Sequence, residues 1–167
     1  MLVPREIGPY LKRLAAEYPV VTLTGPRQSG KTTLCRRVLP DMTYTSLEAP
    51  DVRRRCLDDP RSFLSSLGTA GAVIDEVQRA PELLSYMQGV VDEHNKPGMF
   101  VLTGSADLQL LHNVAQSLAG RTALLTLLPF TLGETVAASG QLDLRHLLHA
   151  GFYPRIHDQH LNPVEAH

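Results

Sequence analysis

The spacing of apolar residues changes along the chain and predicts two kinds of element. Short apolar runs predict buried strands, whereas apolar residues that recur every three or four positions predict amphipathic helices. The predicted strands are 20–24, 42–48 (rich in Thr and Tyr), 71–76, 99–102 and 122–128. The predicted helices are 5–18, 30–39, 50–57, 107–118 and the stretches that begin at Pro60 and Pro81. Because strands and helices alternate, we predict an α/β fold whose parallel sheet is covered on both sides.

The pattern changes after Pro129. Residues 131–150 predict two short helices, 151–154 predict a turn, and the remainder shows little apolar periodicity. A stretch of this kind does not close a hydrophobic core by itself. We therefore expect a domain of residues 1–130, followed at 131–167 by the beginning of a second domain that is truncated here.

The composition is that of an ordinary globular protein. Hydrophobic residues make up 43% and charged residues 20%, and the formal net charge is −1. This balance gives no reason to expect binding to nucleic acid or to a membrane surface, and no apolar run predicts a transmembrane helix. The two cysteines form no disulfide framework or metal motif, and the N-terminus shows no secretory signal. We therefore expect a cytoplasmic location and no membrane partner.

The segment after the first predicted strand carries the strongest functional signal. It matches G-x-x-x-x-G-K-[ST], the phosphate-binding P-loop, in the strand–loop–helix context that the motif requires. Its glycines let successive backbone N–H groups point at a phosphate, and the helix N-terminus adds positive potential. Lys31 is expected to reach the β- and γ-phosphates, and the Thr32 hydroxyl to bind Mg²⁺. The predicted nucleotide-binding residues of this loop are Gly25, Pro26, Arg27, Gln28, Ser29, Gly30, Lys31, Thr32 and Thr33.

Two acidic residues end the third predicted strand. An apolar strand that delivers a carboxylate beside a P-loop suits a Mg²⁺–nucleotide site, so Asp75 is predicted to serve the metal directly or through water. Glu76 is predicted to orient or deprotonate the water that attacks the γ-phosphate. A solvated acidic pair at a strand end is the alternative interpretation.

Hydroxyl side chains follow the fourth predicted strand. Thr103 and Ser105 are both placed to contact the γ-phosphate or the attacking water, and the pattern does not choose between them. A turn with structural hydroxyls is the alternative.

Two arginines have open interpretations. Arg121, just after a predicted helix, either stabilises transition-state charge on a γ-phosphate of its own or a neighbouring subunit, or caps the helix C-terminus beside Gly120. Arg27, within the loop, is either solvated or contacts the nucleotide of a neighbouring subunit.

A set of segments together resembles one family over roughly residues 5–135. The segments are VTLTGPRQSGKTTL, YTSLEAPDVR, DPRSFL, AVIDEVQRAPELL, FVLTGSADLQLL and SLAGRTALLTLLPF. In their order and spacing they are similar to the AAA-type P-loop ATPases of bacteria and archaea that carry an uncharacterised, nuclease-like C-terminal domain. Residues 151–155 resemble the start of that C-terminal domain.

The resemblance implies a fold and a set of roles. The fold is a three-layer P-loop NTPase sandwich whose parallel sheet has the strand order 5-1-4-3-2. Residues 25–32 would be the Walker A motif, Asp75 and Glu76 the Walker B motif, residues 103–105 the sensor region, and Arg121 an arginine finger or second sensor. The implied partners are a second copy of the chain, with nucleotide at the subunit interface, and DNA or protein bound through the C-terminal domain.

Three functions are weighed against these signals. The first is Mg²⁺-dependent ATP binding and hydrolysis, favoured by the Asp75–Glu76 pair. The second is a nucleotide-binding regulatory module without significant turnover. A small-molecule kinase is the weakest, since its arginine-rich lid has only Arg121 as a candidate, and GTP is disfavoured because no N-K-x-D string is present. Pro9, Tyr10 and the segment near Pro129 are predicted to pack on the adenine.

Overall fold

The computed structural model describes residues 3–105, 108–140 and 144–159. Its strands are β1 (Val20–Thr24), β2 (Thr43–Ser46), β3 (Ala72–Asp75), β4 (Phe100–Gly104) and β5 (Thr122–Thr126). The helices of the first part of the chain are α1 (Gly8–Glu17), α2 (Lys31–Val38), α3 (Pro50–Asp58), α4 (Pro60–Ser66) and α5 (Leu83–His94). They are followed by α6 (Leu108–Ser117), α7 (Leu132–Ser139), α8 (Leu144–Ala150) and α9 (Pro154–Gln159), and a 3₁₀ turn spans Val77–Arg79.

The five strands form one parallel sheet in the order β2-β3-β4-β1-β5. Read from the other edge this is 5-1-4-3-2, so the predicted fold class and strand order are confirmed. The register pairs Thr24 at the end of β1 with Gly104 at the end of β4, and Ile74 of β3 with Leu102 of β4. The carboxyl ends of these three strands therefore meet at one edge of the sheet.

Two hydrophobic cores lie on opposite faces of the sheet, which makes three layers. One core joins the sheet to α3–α6 through residues such as Phe63, Leu84 and Val114. The other joins it to α1 and α2 through Leu11 and Leu34. Each helix lies on the face where its apolar stripe meets the side chains of buried strands, as the periodicity of the sequence requires.

The chain after β5 packs back onto the first part. Phe130 N donates to Phe152 O at 2.7 Å, and the Glu6 backbone N–H donates to Glu134 Oε1 at 2.7 Å. Helix α7 begins with a capping box between Thr131 and Glu134. Helix α9 lies in a stretch for which the apolar pattern predicted no helix, and Pro154 at its first position is the local start signal. The domain boundary at residue 130 stays a prediction.

The described part of the chain contains no helix that is long and apolar enough to cross a membrane.

Candidate functional site

The loop between β1 and α2 has the backbone shape that its glycines allow. Gly25 has φ 154° and Gly30 has φ 92°, and a Cβ at Gly25 would lie 2.1 Å from the Leu127 carbonyl oxygen. A side chain at Gly25 would therefore force the loop away from the end of β5. Gly30 precedes the first turn of α2, whose N–H groups have no partner within the helix and face the loop.

Lys31 is enclosed by this loop. Its side chain is buried, and Nζ donates to Gly25 O at 2.8 Å and to Pro26 O at 2.9 Å. Burial lowers the pKa of Lys31, and the nearby carboxylates of Glu76 and Asp75 act in the opposite direction. The loop therefore holds the ammonium at its centre by backbone carbonyls, which is where a phosphate cradled by the loop would meet it.

Asp75 is the meeting point of three hydroxyl groups. Thr32 Oγ1 donates to Asp75 Oδ2 at 3.2 Å, Tyr44 OH donates to the same oxygen at 2.6 Å, and the Thr103 hydroxyl donates to Oδ1. Burial raises the pKa of Tyr44 to about 12, with the hydrogen bond to Asp75 acting in the same direction, so the phenol keeps its proton at neutral pH. The predicted metal-binding pair, Thr32 and Asp75, is thus in direct contact.

Glu76 follows Asp75 in an unusual backbone conformation. Its φ is 60°, in the left-handed region that few non-glycine residues adopt, and its Oε2 accepts a hydrogen bond from Gln78 Nε2 at 2.7 Å. Backbone strain of this kind is concentrated at functional sites. The hydrogen bond from Gln78 therefore holds the Glu76 carboxylate beside the P-loop, on the side where Lys31 lies.

The two candidate sensor hydroxyls have different surroundings. Thr103 is fully buried and its hydroxyl is engaged by Asp75, whereas Ser105 is half-buried just beyond the end of β4. A contact from Thr103 to a phosphate would require its bond to Asp75 to break. The structure therefore distinguishes Thr103 from Ser105 by burial and by the contact with Asp75, whereas the sequence pattern did not choose between them.

A cavity of about 350 Å³, which we call the phosphate cavity, joins these groups. Of the predicted residues, it is lined by Arg27, Gln28, Gly30, Lys31, Thr32, Thr33, Asp75 and Glu76. Gly25 and Ser29 are buried behind it, and Pro26 contributes its carbonyl to Lys31. The other wall is formed by Pro154, Arg155 and Asp158 of α9, which the sequence reasoning missed. The P-loop and the carboxylates at the end of β3 thus form one site, and α9 forms its opposite wall.

A second cavity, of about 450 Å³, adjoins the first. Gly30, Thr33, Pro154 and Asp158 line both. The remaining lining includes the apolar side chains of Val3, Pro4, Pro9, Leu34, Val38 and Phe130. Of the residues predicted to pack on a base, Pro9 is present. Tyr10 instead faces solvent, 56% exposed, with the Arg13 guanidinium 4.7 Å from its ring.

Arg121 lies away from both cavities. It precedes β5, and its carbonyl accepts from Val20 N at the start of β1, whereas the P-loop follows the other end of β1. The strand puts about 13 Å of backbone between the two edges. Arg121 Nε and Nη2 bind the Asp92 carboxylate at 2.5 and 2.8 Å. Arg121 is therefore not placed to reach a γ-phosphate of its own subunit. Its Nη1 donates to Ala119 O at 3.0 Å, as the helix-capping alternative requires, and a contact with the nucleotide of a neighbouring subunit stays open as well.

Comparison with known proteins places this chain in a family. Residues 17–136 match the model of a family described as an AAA domain. The chain belongs to this AAA domain family. Two relatives, uncharacterized proteins of Mycobacterium tuberculosis and Mycobacterium bovis, are each 38% identical over 156 residues. The match covers 90% of this chain and 34% of each relative, so the AAA domain chain spans about a third of their length.

Solved structures share the fold of this AAA domain. A Walker-type ATPase of Pyrococcus abyssi aligns with a TM-score of 0.59 at 17% identity, over 92% of this chain and 65% of that one. AMPPCP-bound DnaA of Aquifex aeolicus aligns with a TM-score of 0.64 at 14% identity, over 96% of this chain and 59% of that one. At such identities the likeness shows the P-loop NTPase fold alone.

Arg5 donates hydrogen bonds to the backbone of the P-loop and of the segment after β5 in this AAA domain. Its Nη1 donates to Ser29 O at 2.7 Å, and its Nη2 donates to Leu128 O and Pro129 O at 2.7 and 3.1 Å. Its Nε lies 3.0 Å from Glu134 Oε2, and both side chains are nearly buried. No motif includes Arg5, because its partners are distant along the chain. One guanidinium therefore joins the N-terminal segment, the P-loop and the start of α7.

Replacing this guanidinium is expected to destabilise the AAA domain. Arg5→Ala leaves the Glu134 carboxylate buried without its cation, a change that costs about 3 kcal/mol of unfolding free energy. Arg13→Ala is the control, since Arg13 pairs with Glu17 at 3.9 Å with more than half of each side chain exposed. Exposed pairs of this kind contribute about 0.5 kcal/mol. Urea unfolding measures both, and equal losses would contradict the structural role of Arg5.

Proposed function

We propose that this AAA domain binds ATP with Mg²⁺ and hydrolyses it to ADP and phosphate. One observation carries the proposal: the Lys31 ammonium, the Thr32 hydroxyl and the carboxylates of Asp75 and Glu76 line a single cavity at the N-terminus of α2. Cation, metal-binding oxygens and a candidate base are the groups that phosphoryl transfer to water requires.

The adjoining cavity suits the remainder of ATP. Its walls are largely apolar, and adenine is a flat ring system that apolar contacts hold well. Because Gly30 and Thr33 line both cavities, a molecule with phosphates at the P-loop would extend its base between α1 and Phe130. In this assignment Pro9 and Phe130 contact the base, and Tyr10 does not.

Thr32 and Asp75 fit Mg²⁺ by the chemistry of their donors. A hydroxyl oxygen and a carboxylate oxygen lie 3.2 Å apart at the rim of the phosphate cavity, and hard oxygen ligands are those that Mg²⁺ prefers. Among the described residues no group of three or more His, Cys, Asp or Glu side chains could hold a metal ion by itself. Nucleotide phosphates and water would complete the shell, as is usual for Mg²⁺. When bound, the ion would neutralise charge that develops on the phosphates.

Glu76 is the proposed base for hydrolysis. Its carboxylate lines the phosphate cavity and is oriented by Gln78. A carboxylate at this place takes a proton from a water molecule that attacks the γ-phosphate, and Lys31 holds the phosphate oxygens in position. The role of Gln78 is to hold Glu76 at the cavity wall.

Arg155 is the proposed phosphate-charge sensor of the domain. It belongs to α9 and lines the wall of the phosphate cavity that lies opposite the P-loop. A guanidinium here would favour the additional negative charge of a third phosphate.

The expected effect of Arg155→Ala is a loss of discrimination between ATP and ADP. The ratio of ATP to ADP affinity should fall by about tenfold, because a charge-assisted contact is worth about 1.4 kcal/mol at a partly exposed position. ADP affinity should change less than twofold. Arg54→Ala, an exposed arginine on α3, is the control. Titration with both nucleotides measures the ratio, and equal weakening of ATP and ADP would refute the assignment.

A second candidate function is a nucleotide switch without significant turnover. It is favoured by the position of Arg121, which lies at the opposite edge of the sheet and so does not reach the phosphate cavity of its own chain. Turnover that depends on Arg121 would require this residue from a neighbouring copy. The relatives are about three times as long as this chain. For a whole protein of that length we propose three further features: a nuclease-like C-terminal domain, DNA or protein partners, and a homo-oligomer with nucleotide at its interfaces.

The deciding experiment is ATP binding and phosphate release over a series of protein concentrations. Binding with phosphate release that rises more than linearly with protein supports an ATPase completed by a neighbouring copy. Release that is linear with protein supports a site complete in one chain. Binding without release favours the switch, and absence of binding overturns the proposed function.

A further inference from the structure

Tyr44 contacts the candidate metal site but belongs to neither the P-loop nor the Asp75–Glu76 pair. It lies on β2, next to β3, and its hydroxyl donates to Asp75 Oδ2 at 2.6 Å. Its ring lies under the Arg36 guanidinium at 4.0 Å from the ring centroid. Arg36 is one helical turn after Thr32 on α2. Tyr44 therefore connects the strand that carries Asp75 with the helix that carries Thr32.

The hydrogen bonds to Asp75 limit what its carboxylate can do. A carboxylate offers about four acceptor positions, and three are used here, two on Oδ2 and one on Oδ1. If the Thr32 hydroxyl turns toward a metal, Tyr44 and Thr103 each still hold one oxygen. Among the side-chain hydrogen bonds of the described residues, these two then orient the Asp75 carboxylate.

We propose that Tyr44 is a positioning residue for the magnesium site: its hydroxyl holds the Asp75 carboxylate facing Thr32. The inference rests on the proposed function, because it requires a metal bound together with a nucleotide. When a group that hydrogen-bonds to a metal-binding carboxylate and orients it is removed, metal affinity typically falls by tenfold or more. A purely structural hydrogen bond would instead affect the fold without regard to Mg²⁺.

The test is the Mg²⁺-dependent part of nucleotide affinity in Tyr44→Phe. This variant keeps the ring and its contact with Arg36 and removes only the hydroxyl. The dissociation constant of a non-hydrolysable ATP analogue is measured by calorimetry in excess Mg²⁺ and again in EDTA. We expect about tenfold weaker binding in Mg²⁺ and a change of less than twofold in EDTA. Tyr86→Phe is the matched control, since Tyr86 is an exposed tyrosine of α5 away from the site.

Each other outcome has a distinct meaning. Equal weakening with and without Mg²⁺, or no weakening, overturns the role of Tyr44 and leaves nucleotide binding in place. Wild-type affinity that is the same in Mg²⁺ and EDTA overturns the magnesium site itself. A wild-type chain that binds no nucleotide overturns the proposed function as well. If Tyr44→Phe does not fold, Arg36→Gln removes the cation that holds the Tyr44 ring in place, with an expected loss of about threefold confined to Mg²⁺. A loss that is equal in EDTA, or no loss, again overturns the role of Tyr44.

Discussion

Lys31→Ala is expected to weaken ATP binding by about a thousandfold. The ammonium lies at the centre of the P-loop, buried and held by the Gly25 and Pro26 carbonyls. Contacts between this cation and two phosphate oxygens are worth about 2 kcal/mol each, so losing both costs about 4 kcal/mol of binding free energy. Calorimetric titration of ATP in excess Mg²⁺ measures the loss.

Lys96→Ala is the matched control for this variant. Lys96 is an exposed lysine in the turn after α5, at the other edge of the sheet, so its removal changes the net charge equally without touching the cavity. Its ATP affinity should stay within twofold of wild type. If Lys31→Ala bound ATP as tightly as Lys96→Ala, the phosphate site would not lie in the P-loop. A melting temperature close to wild type would show that the loss is not a folding defect.

Glu76→Gln is expected to separate binding from hydrolysis. The substitution keeps the size of the side chain and its place beside Gln78 but removes the carboxylate that would accept a proton from water. General-base catalysis contributes about 10²- to 10⁴-fold, so phosphate release should fall by at least 100-fold. ATP affinity should be unchanged or higher, because a negative charge next to the phosphates has been removed.

Glu82→Gln is the control, since Glu82 is exposed just before α5 and lies outside the phosphate cavity. Its phosphate release should match wild type. Single-turnover measurement at saturating enzyme separates the chemical step from product release. Unchanged release by Glu76→Gln would remove Glu76 from the base role, and parallel losses of binding and release would instead indicate a disturbed loop.

The fold followed from local patterns because each element of this domain is a consecutive stretch of chain. The apolar run of β1 and the three- and four-residue spacing of α1 are properties of neighbouring residues, and the alternation of such stretches restricts the topology to a parallel sheet covered on both faces. The strand order needed the family resemblance, since periodicity does not say which strands are neighbours. The structure confirmed that order.

The candidate site was predicted where its residues are contiguous. The P-loop is one uninterrupted motif, and Asp75 and Glu76 end a strand whose carboxyl end must lie at the same edge of a parallel sheet. The same logic placed Thr103 and Ser105, which follow the neighbouring strand, at this edge. It did not show that the Thr103 hydroxyl is already engaged by the Asp75 carboxylate, because the direction of a side chain depends on its packing.

Tertiary structure alone decided the remaining contacts. The sequence left Arg121 open between a phosphate contact, in its own or a neighbouring subunit, and a helix cap. In the structure it precedes β5 and so lies at the edge opposite the P-loop, bound to Asp92. Arg155, Tyr44 and Arg5 reach the site from α9, β2 and the N-terminal segment. Their partners are many residues away along the chain, and no local periodicity records such pairs. What the sequence determined by itself was therefore the elements and the contiguous phosphate motif, whereas packing decided which distant side chains complete the site.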